Sequence, residues 1–280
     1  MLSAGRARLV AAGVSPAEAT VDVDVYAQRI LGWDRARLIA DARDPAPSAL
    51  EPRFTDWLDR RTRREPTAYI VGEREFWGLP FRVSPAVLIP RPETELIVEA
   101  ALPLLRALPP EPGPRVADIG TGSGVLAVSL AHEVPACHVT ATDISADALA
   151  VARANAEANG VGDRVTCTCT SYLDGVDGPF DVIVANPPYV KQGDKPGLSP
   201  DVRHEPDVAL FGGADGLRDI GGVLDAAITR LAPGGWFLTE FGFGQEDDVR
   251  ALVAQRPGFR FDRTLHDLQG LARTAVLQKA

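Results

Sequence analysis

Asn186-Pro187-Pro188-Tyr189 brings together, within four residues, groups that can handle a polar substrate. It holds an amide side chain, backbone carbonyls beside two proline rings, and an aromatic ring. The prolines fix their φ angles and so aim these groups at one point. Such a site suits a flat, weakly nucleophilic NH2 group. The side-chain carbonyl of Asn186 and the backbone carbonyl of Pro187 can accept its two hydrogens, and Tyr189 can stack on its plane. The apolar, β-branched run Phe180-Asp181-Val182-Ile183-Val184-Ala185 directly before it reads as a buried strand. Proline cannot continue a sheet ladder. The turn therefore falls at the carboxyl edge of a sheet, where open α/β sheets bind ligands.

A second group of residues precedes this turn in sequence. Gly120-Thr121-Gly122-Ser123-Gly124 stands between a predicted strand, Arg115 to Ile119, and a predicted helix, Val125 to Glu133. A glycine turn there brings backbone N–H groups close to a ligand, a feature common to NAD, FAD and S-adenosylmethionine sites. Three details favour S-adenosylmethionine. The glycines do not follow the dinucleotide spacing. Asp118, inside the strand, would repel a pyrophosphate but suits an aminoacyl or sulfonium cation. Asp143, about 20 residues past the turn at the end of the next strand, can hold ribose hydroxyls or cap the following helix. Tyr172, just past the third strand, is placed to cover an adenine ring or to lie at the surface.

Alternating strands and helices must position these residues. Strands are expected at 138–142, 164–168, 180–185 and 236–241, and helices at 146–159, 217–231 and 245–255, with a closing antiparallel pair at 259–266 and 272–278. That pattern implies a mostly parallel sheet covered on both faces. Before it, residues 3–65 read as helices. Ala17, Val21, Val25, Ala27 and Ile30 form one stripe, and Phe54, Trp57 and Leu58 another. Arg60, Arg61, Arg63 and Arg64 end the second helix, as a solvated face or as a docking patch for an acidic partner or RNA. Residues 69–89 read as strands, with a turn at Gly78-Leu79-Pro80. Glu93 and Glu95 are ordinary acids at the start of a helix running to about Ala107, which Pro103 would kink or end early. Val190 to Asp215 reads as a long irregular stretch, and loops of this length are usually functional or mobile.

Composition narrows the field. A hydrophobic share of 45% fits a globular chain, and 280 residues hold one large α/β domain plus a smaller one. A net charge of −9 argues against tight, sequence-independent binding to nucleic acid. Cys137, Cys167 and Cys169 have no framework spacing, which fits a reducing, cytoplasmic setting; Cys167 and Cys169 alternate on one strand and read as small core residues. No signal-peptide core or bilayer-spanning run is apparent. No cluster has metal-ligand spacing.

Taken together, Asp118 to Gly124 and Asn186 to Tyr189 resemble the class I S-adenosylmethionine-dependent amino-methyltransferases. Tyr69 to Gly78, then Ile89-Pro90-Arg91-Pro92-Glu93-Thr94-Glu95, His204-Glu205-Pro206, Ala209 to Gly213 and Glu240-Phe241-Gly242 are similar to the HemK/PrmC family. The resemblance runs from about Arg63 to the C-terminus. It implies a Rossmann-like, mostly parallel seven-stranded sheet (residues 93–280), a small helical substrate-recognition domain (1–68) and a β-hairpin linker (69–92). It also implies S-adenosylmethionine as cofactor. The substrate would be the glutamine of the Gly-Gly-Gln motif in class I peptide chain release factors, with no membrane and no nucleic-acid substrate. A ribosomal-protein glutamine methyltransferase, or an N6-adenine methyltransferase using the same turn, is the alternative.

Overall fold

The computed structural model describes residues 1–41 and 47–280; residues 42–46, within the expected helical region, lie outside the described residues. The chain divides into two compact units. One comprises residues 1–73 with 199–204, and the other residues 74–198 with 205–280. Among the described residues no helix is long and apolar enough to cross a membrane.

The first unit is helical: α1 (Leu2–Ala11), α2 (Pro16–Leu31), α3 (Arg35–Ala40), α4 (Glu51–Thr62) and α5 (Thr67–Val71). Ser15 and Glu18 form a capping box that starts α2. The buried face of α2 is Ala19, Asp22, Val23, Tyr26 and Ala27, whereas Val21 of the expected stripe is exposed. The helix is rotated from the simplest apolar reading because it turns two polar groups inward. Asp22 pairs with Arg61 of α4 at 2.7 Å, and the Tyr26 hydroxyl lies 3.0 Å from Thr67 Oγ1. The expected stripe of α4, Phe54, Trp57 and Leu58, is buried. Its arginines divide. Arg61 is buried between Asp22 and Asp201, Arg64 also pairs with Asp201, Arg60 pairs with Glu65, and Arg63 is exposed. Tyr69-Ile70-Val71, expected in strands, is helix α5, closed by Gly72 in the left-handed region.

A hairpin follows, β1 (Glu73–Phe76) and β2 (Leu79–Arg82). Its turn is Trp77-Gly78, both with positive φ, rather than Gly78-Leu79-Pro80; a two-residue turn of this kind matches the strand twist. Then come α6 (Glu95–Arg106), β3 (Arg115–Ile119), α7 (Val125–Glu133), β4 (His138–Asp143), α8 (Ala146–Ala158), β5 (Val165–Cys169) and β6 (Phe180–Ala185). The chain continues through α9 (Asp207–Leu210), α10 (Arg218–Arg230), β7 (Leu231–Glu240), α11 (Glu246–Ala254), β8 (Phe259–His266) and β9 (Ala272–Lys279). α6 runs on through Pro103. β7 starts earlier than expected, with Pro233-Gly234-Gly235 inside it; a register shift opposite β6 absorbs the extra length.

The seven strands stand in the order β5-β4-β3-β6-β7-β9-β8, parallel except for β9, which runs antiparallel to both neighbours. Successive residues of the central strands face opposite sides. Val116, Val182 and Leu238 meet α6 and α7, while Ala117, Ile183 and Phe237 meet α10 and α11. β5 is an edge strand, so Cys167 is only half-buried and Cys169 is exposed, contrary to the core reading. The stretch after β6 is less irregular than expected. Val190 bridges Phe211, and its backbone pairs with Leu210 and Gly212.

The chain order decides where a ligand can sit. From β3 the connection goes to β4 on one side, and β6 lies on the other, so the strand order reverses between β3 and β6. A crevice opens at the carboxyl ends of strands at such a point. Ile119 is in register with Ala185, so the glycine turn and the Asn-Pro-Pro-Tyr turn leave the sheet side by side.

Candidate active site

The glycine turn is tied to the neighbouring strand. Thr121 N donates to Thr142 O, and Gly122 N donates to Asp143 Oδ2, both at 2.9 Å. Gly122 needs its left-handed φ of 55° to present that amide. Gly124 packs against α8, where an added Cβ would lie 3.2 Å from Ala152 Cα. Asp143 Oδ1 accepts from Ser145 N at 2.9 Å, and Ser145 Oγ caps α8. Asp143 thus joins the glycine turn to the start of α8, while its oxygens keep lone pairs for further donors.

Asp118 is buried beneath the turn. Its Oδ2 accepts from Thr121 Oγ1 at 2.6 Å and from Ala127 N at 3.1 Å. Its Oδ1 is buried without a hydrogen-bond partner among the described residues. Burial pushes this carboxyl up to about 7, against the pull of those two donors.

Tyr172 stands opposite, with φ 48° and its hydroxyl donating to Asp219 Oδ1 at 2.9 Å. Burial and the Asp219 carboxylate raise its phenol to about 12. Gly222 leaves room for the ring; a Cβ there would lie 2.2 Å from Tyr172 Cζ.

The Asn-Pro-Pro-Tyr turn is held from behind. Asn186 Nδ2 donates to Thr94 Oγ1 at 3.0 Å, and Thr94 Oγ1 donates to Glu240 Oε2 at 2.6 Å. Tyr189 OH donates to Glu240 Oε1 at 3.0 Å. Glu240 is 1% exposed; burial holds it above the usual carboxylate range, although both hydroxyls pull the other way. The Glu240 carboxylate, with burial, pushes the Tyr189 phenol well above its ordinary value. Gln245 Nε2 donates to Tyr189 O at 3.1 Å, and Gly216 must lack a Cβ because one would lie 2.2 Å from that oxygen.

One cavity unites the two turns. Asp118, Gly120, Thr121, Gly122, Ser123, Asp143 and Tyr172 line it with Asn186, Pro187 and Pro188. Gly124 and Tyr189 are not in its wall. Gly124 serves helix packing, and Tyr189 stands behind the turn on Glu240. Of the expected helix-start acids, Glu95 also accepts from Trp77 N, at Oε1 and 2.9 Å. Sequence reasoning assigned no role to Thr94, Arg91, Ile144 or Asp219, which also line the cavity, nor to Glu240. A local signal exists for Glu240: a carboxylate ending an apolar strand needs a buried partner. Arg91 is fastened by the buried Glu205, which also accepts from Ile89 N.

Several known proteins are similar to this chain. A family model for the methyltransferase small domain matches residues 97–200, and one for the PrmC N-terminal domain matches residues 1–72. The chain is 42% identical over 269 residues to a release factor glutamine methyltransferase of Bradyrhizobium diazoefficiens, covering 94% of this chain and 89% of that protein. It is 41% identical over 271 residues to the protein of the same name from Moorella thermoacetica, covering 95% and 93%. Among solved structures, a ribosomal protein L11 methylase from Lactobacillus delbrueckii subsp. bulgaricus superposes with a TM-score of 0.52 at 23% identity, over 71% of this chain and 84% of that one. That likeness speaks for the fold. With identity above 40% along nearly the whole length, the chain belongs to the release factor glutamine methyltransferase family.

Proposed function

We propose that this chain transfers a methyl group from S-adenosylmethionine to the side-chain amide nitrogen (N5) of the glutamine in the Gly-Gly-Gln motif of class I peptide chain release factors. The supporting observation is that Asn186-Pro187-Pro188 and the glycine turn with Asp118 line one cavity, in a chain of this family. The reaction is cytoplasmic. Residues 1–68 serve to recognise the factor, and the hairpin segment 69–92 links them to the methyltransferase domain, 93–280.

The residues present fit the methyl donor. The unpartnered Oδ1 of Asp118 is a ready acceptor for an aminoacyl ammonium group. Gly120 to Gly122 would hold the same group through their backbone, Asp143 would hold the ribose hydroxyls, and Tyr172 would cover the adenine. When bound, S-adenosylmethionine would supply a methyl group on a sulfonium, with its electrophilic reactivity, and on breaking of the sulfur–methyl bond a neutral thioether, S-adenosylhomocysteine, as the leaving group.

The protein's own residues orient the nucleophile. An amide nitrogen is unreactive because its lone pair is delocalised. Asn186 Oδ1 and the Pro187 carbonyl accept the two hydrogens of the glutamine NH2 and turn its lone pair toward the methyl group. Accepting those bonds also favours the positive charge that develops on nitrogen. Pro188 stiffens the turn, and Tyr189 backs it. The proton leaves to water after transfer.

The direct test uses labelled S-adenosylmethionine with a release factor, and with the same factor carrying a replaced Gly-Gly-Gln glutamine. Label in the first alone is expected. Label in the second, or in RNA or DNA instead, overturns the assignment.

Asp118 also sets a pH dependence. Its carboxyl titrates near 7 in the free protein, and a bound ammonium group favours the charged form. Affinity is therefore complete above that value and falls as the pH drops through it. Calorimetric binding of S-adenosylhomocysteine, which keeps the aminoacyl group, is expected to weaken roughly eightfold from pH 7.5 to 6. Asp118→Asn should bind more weakly with a flat profile; an unchanged slope would remove Asp118 from this role.

A further inference from the structure

The orientation of the Asn186 amide has to be specified, because its oxygen and nitrogen ends have the same shape and opposite hydrogen-bonding character. Only the oxygen end can accept the hydrogens of a substrate NH2 group. The contacts behind the turn supply that specification. Both oxygens of Glu240 accept from hydroxyls, Oε2 from Thr94 at 2.6 Å and Oε1 from Tyr189, which is the pattern of the ionised group despite its burial. An ionised carboxylate is an acceptor only, so the bond to Glu240 uses the single hydroxyl proton of Thr94. Thr94 Oγ1 is then left with lone pairs alone toward Asn186. The atom of Asn186 that meets it, at 3.0 Å, must be a donor, which is Nδ2. Oδ1 is thereby turned away from Thr94. Thr94 is 2% exposed and Glu240 1%, so water does not compete for these bonds. The other oxygen of Glu240 takes the Tyr189 hydroxyl, so one carboxylate fastens both ends of the four-residue turn.

From this geometry we infer that Thr94 and Glu240 are positioning residues: a one-way hydrogen-bond relay from Asn186 through Thr94 to Glu240 fixes the Asn186 amide with its oxygen toward the substrate. The inference rests on the function proposed above, since it is the glutamine NH2 that requires an acceptor there. Neither residue touches the reacting atoms in this scheme. Loss of the relay lets the amide rotate, so part of the population presents Nδ2–H to a substrate that offers only hydrogens.

Thr94→Val keeps the shape of the side chain and removes both the proton and the lone pairs. Thr94→Ser keeps them. Rates of methyl transfer to a release factor are compared with the dissociation constant of S-adenosylhomocysteine for each variant. Thr94→Val is expected to lower kcat tenfold to a hundredfold with cofactor affinity within twofold, and Thr94→Ser to stay within threefold of the parent in both. Should Thr94→Val fail to fold, Thr94→Ala is read in the same way. A second readout needs no substrate. The side-chain NH2 of Asn186, followed by 15N NMR, should exchange slowly with solvent in the parent and in Thr94→Ser and lose that protection in Thr94→Val. A parent that labels no release factor would sink the assigned reaction while the exchange measurement still judges the relay. Unchanged exchange in Thr94→Val, unchanged kcat, or equal damage in Thr94→Ser and Thr94→Val overturns the relay.

Discussion

Asn186→Ala is expected to lower kcat by about 10²–10³-fold, equivalent to roughly 3–4 kcal/mol of transition-state stabilisation, while S-adenosylhomocysteine binds within about threefold of the parent. The split follows from where the groups stand. Asp118, Gly122 and Asp143 form the glycine-turn side of the cavity and remain intact in the variant. Asn186 belongs to the other side, on the turn after β6, and in the proposed mechanism it is the acceptor that aligns the nucleophile. Asn186→Asp sharpens the point. It retains an accepting oxygen, yet an oxygen now faces Thr94 Oγ1, whose proton is committed to Glu240. Two acceptors in contact repel, so aspartate is expected to rescue nothing. Single-turnover transfer of labelled methyl to a release factor measures both variants; rates near the parent's in Asn186→Ala would remove the turn from the chemistry.

The two turns that line the cavity were legible because their signals are local. One is a strand, a glycine turn and a helix in succession. The other is a strand stopped by two prolines. Their adjacency followed only from the parallel register of β3 and β6, which the alternating pattern implied without specifying. The contacts behind the Asn-Pro-Pro-Tyr turn were not legible, although Thr94 and Glu240 stand in segments that the sequence singled out. Thr94 lies 92 residues from Asn186 and 146 from Glu240, and no spacing rule reaches across such separations. Tyr189 shows the same limit. An aromatic ring at the end of a turn reads as a stacking surface, but the sequence carries no sign that Glu240, 51 residues on, draws its hydroxyl away from the cavity. Periodicity also misjudged α2. A hydrophobic stripe identifies the core face only when no buried charge competes, and Asp22 does compete.

That buried charge leads to the largest stability effect. Arg61→Met is expected to destabilise the helical unit by about 3–5 kcal/mol. Arg61 Nε meets Asp22 Oδ2 at 2.7 Å and its Nη1 meets Asp201 Oδ2 at 2.8 Å, with the guanidinium side chain 4% and the Asp22 side chain 9% exposed. Methionine fills similar space, so packing is largely kept and the loss is electrostatic. Among the described residues, Asp22 would keep only the Thr67 hydroxyl, at 2.6 Å, as a compensating donor. Asp201 would fare better, because it is 23% exposed and retains Arg64 Nε at 2.7 Å. The asymmetry makes the cause testable. Hydrogen exchange of the α2 and α4 amides reports this unit alone. Combining Arg61→Met with Asp22→Asn removes both ends of the pair and should recover more than half of the loss, since a neutral amide costs far less to bury than an unpaired carboxylate. If the double variant is no more stable than Arg61→Met, the penalty lies in packing around α4 and not in the stranded charge of Asp22.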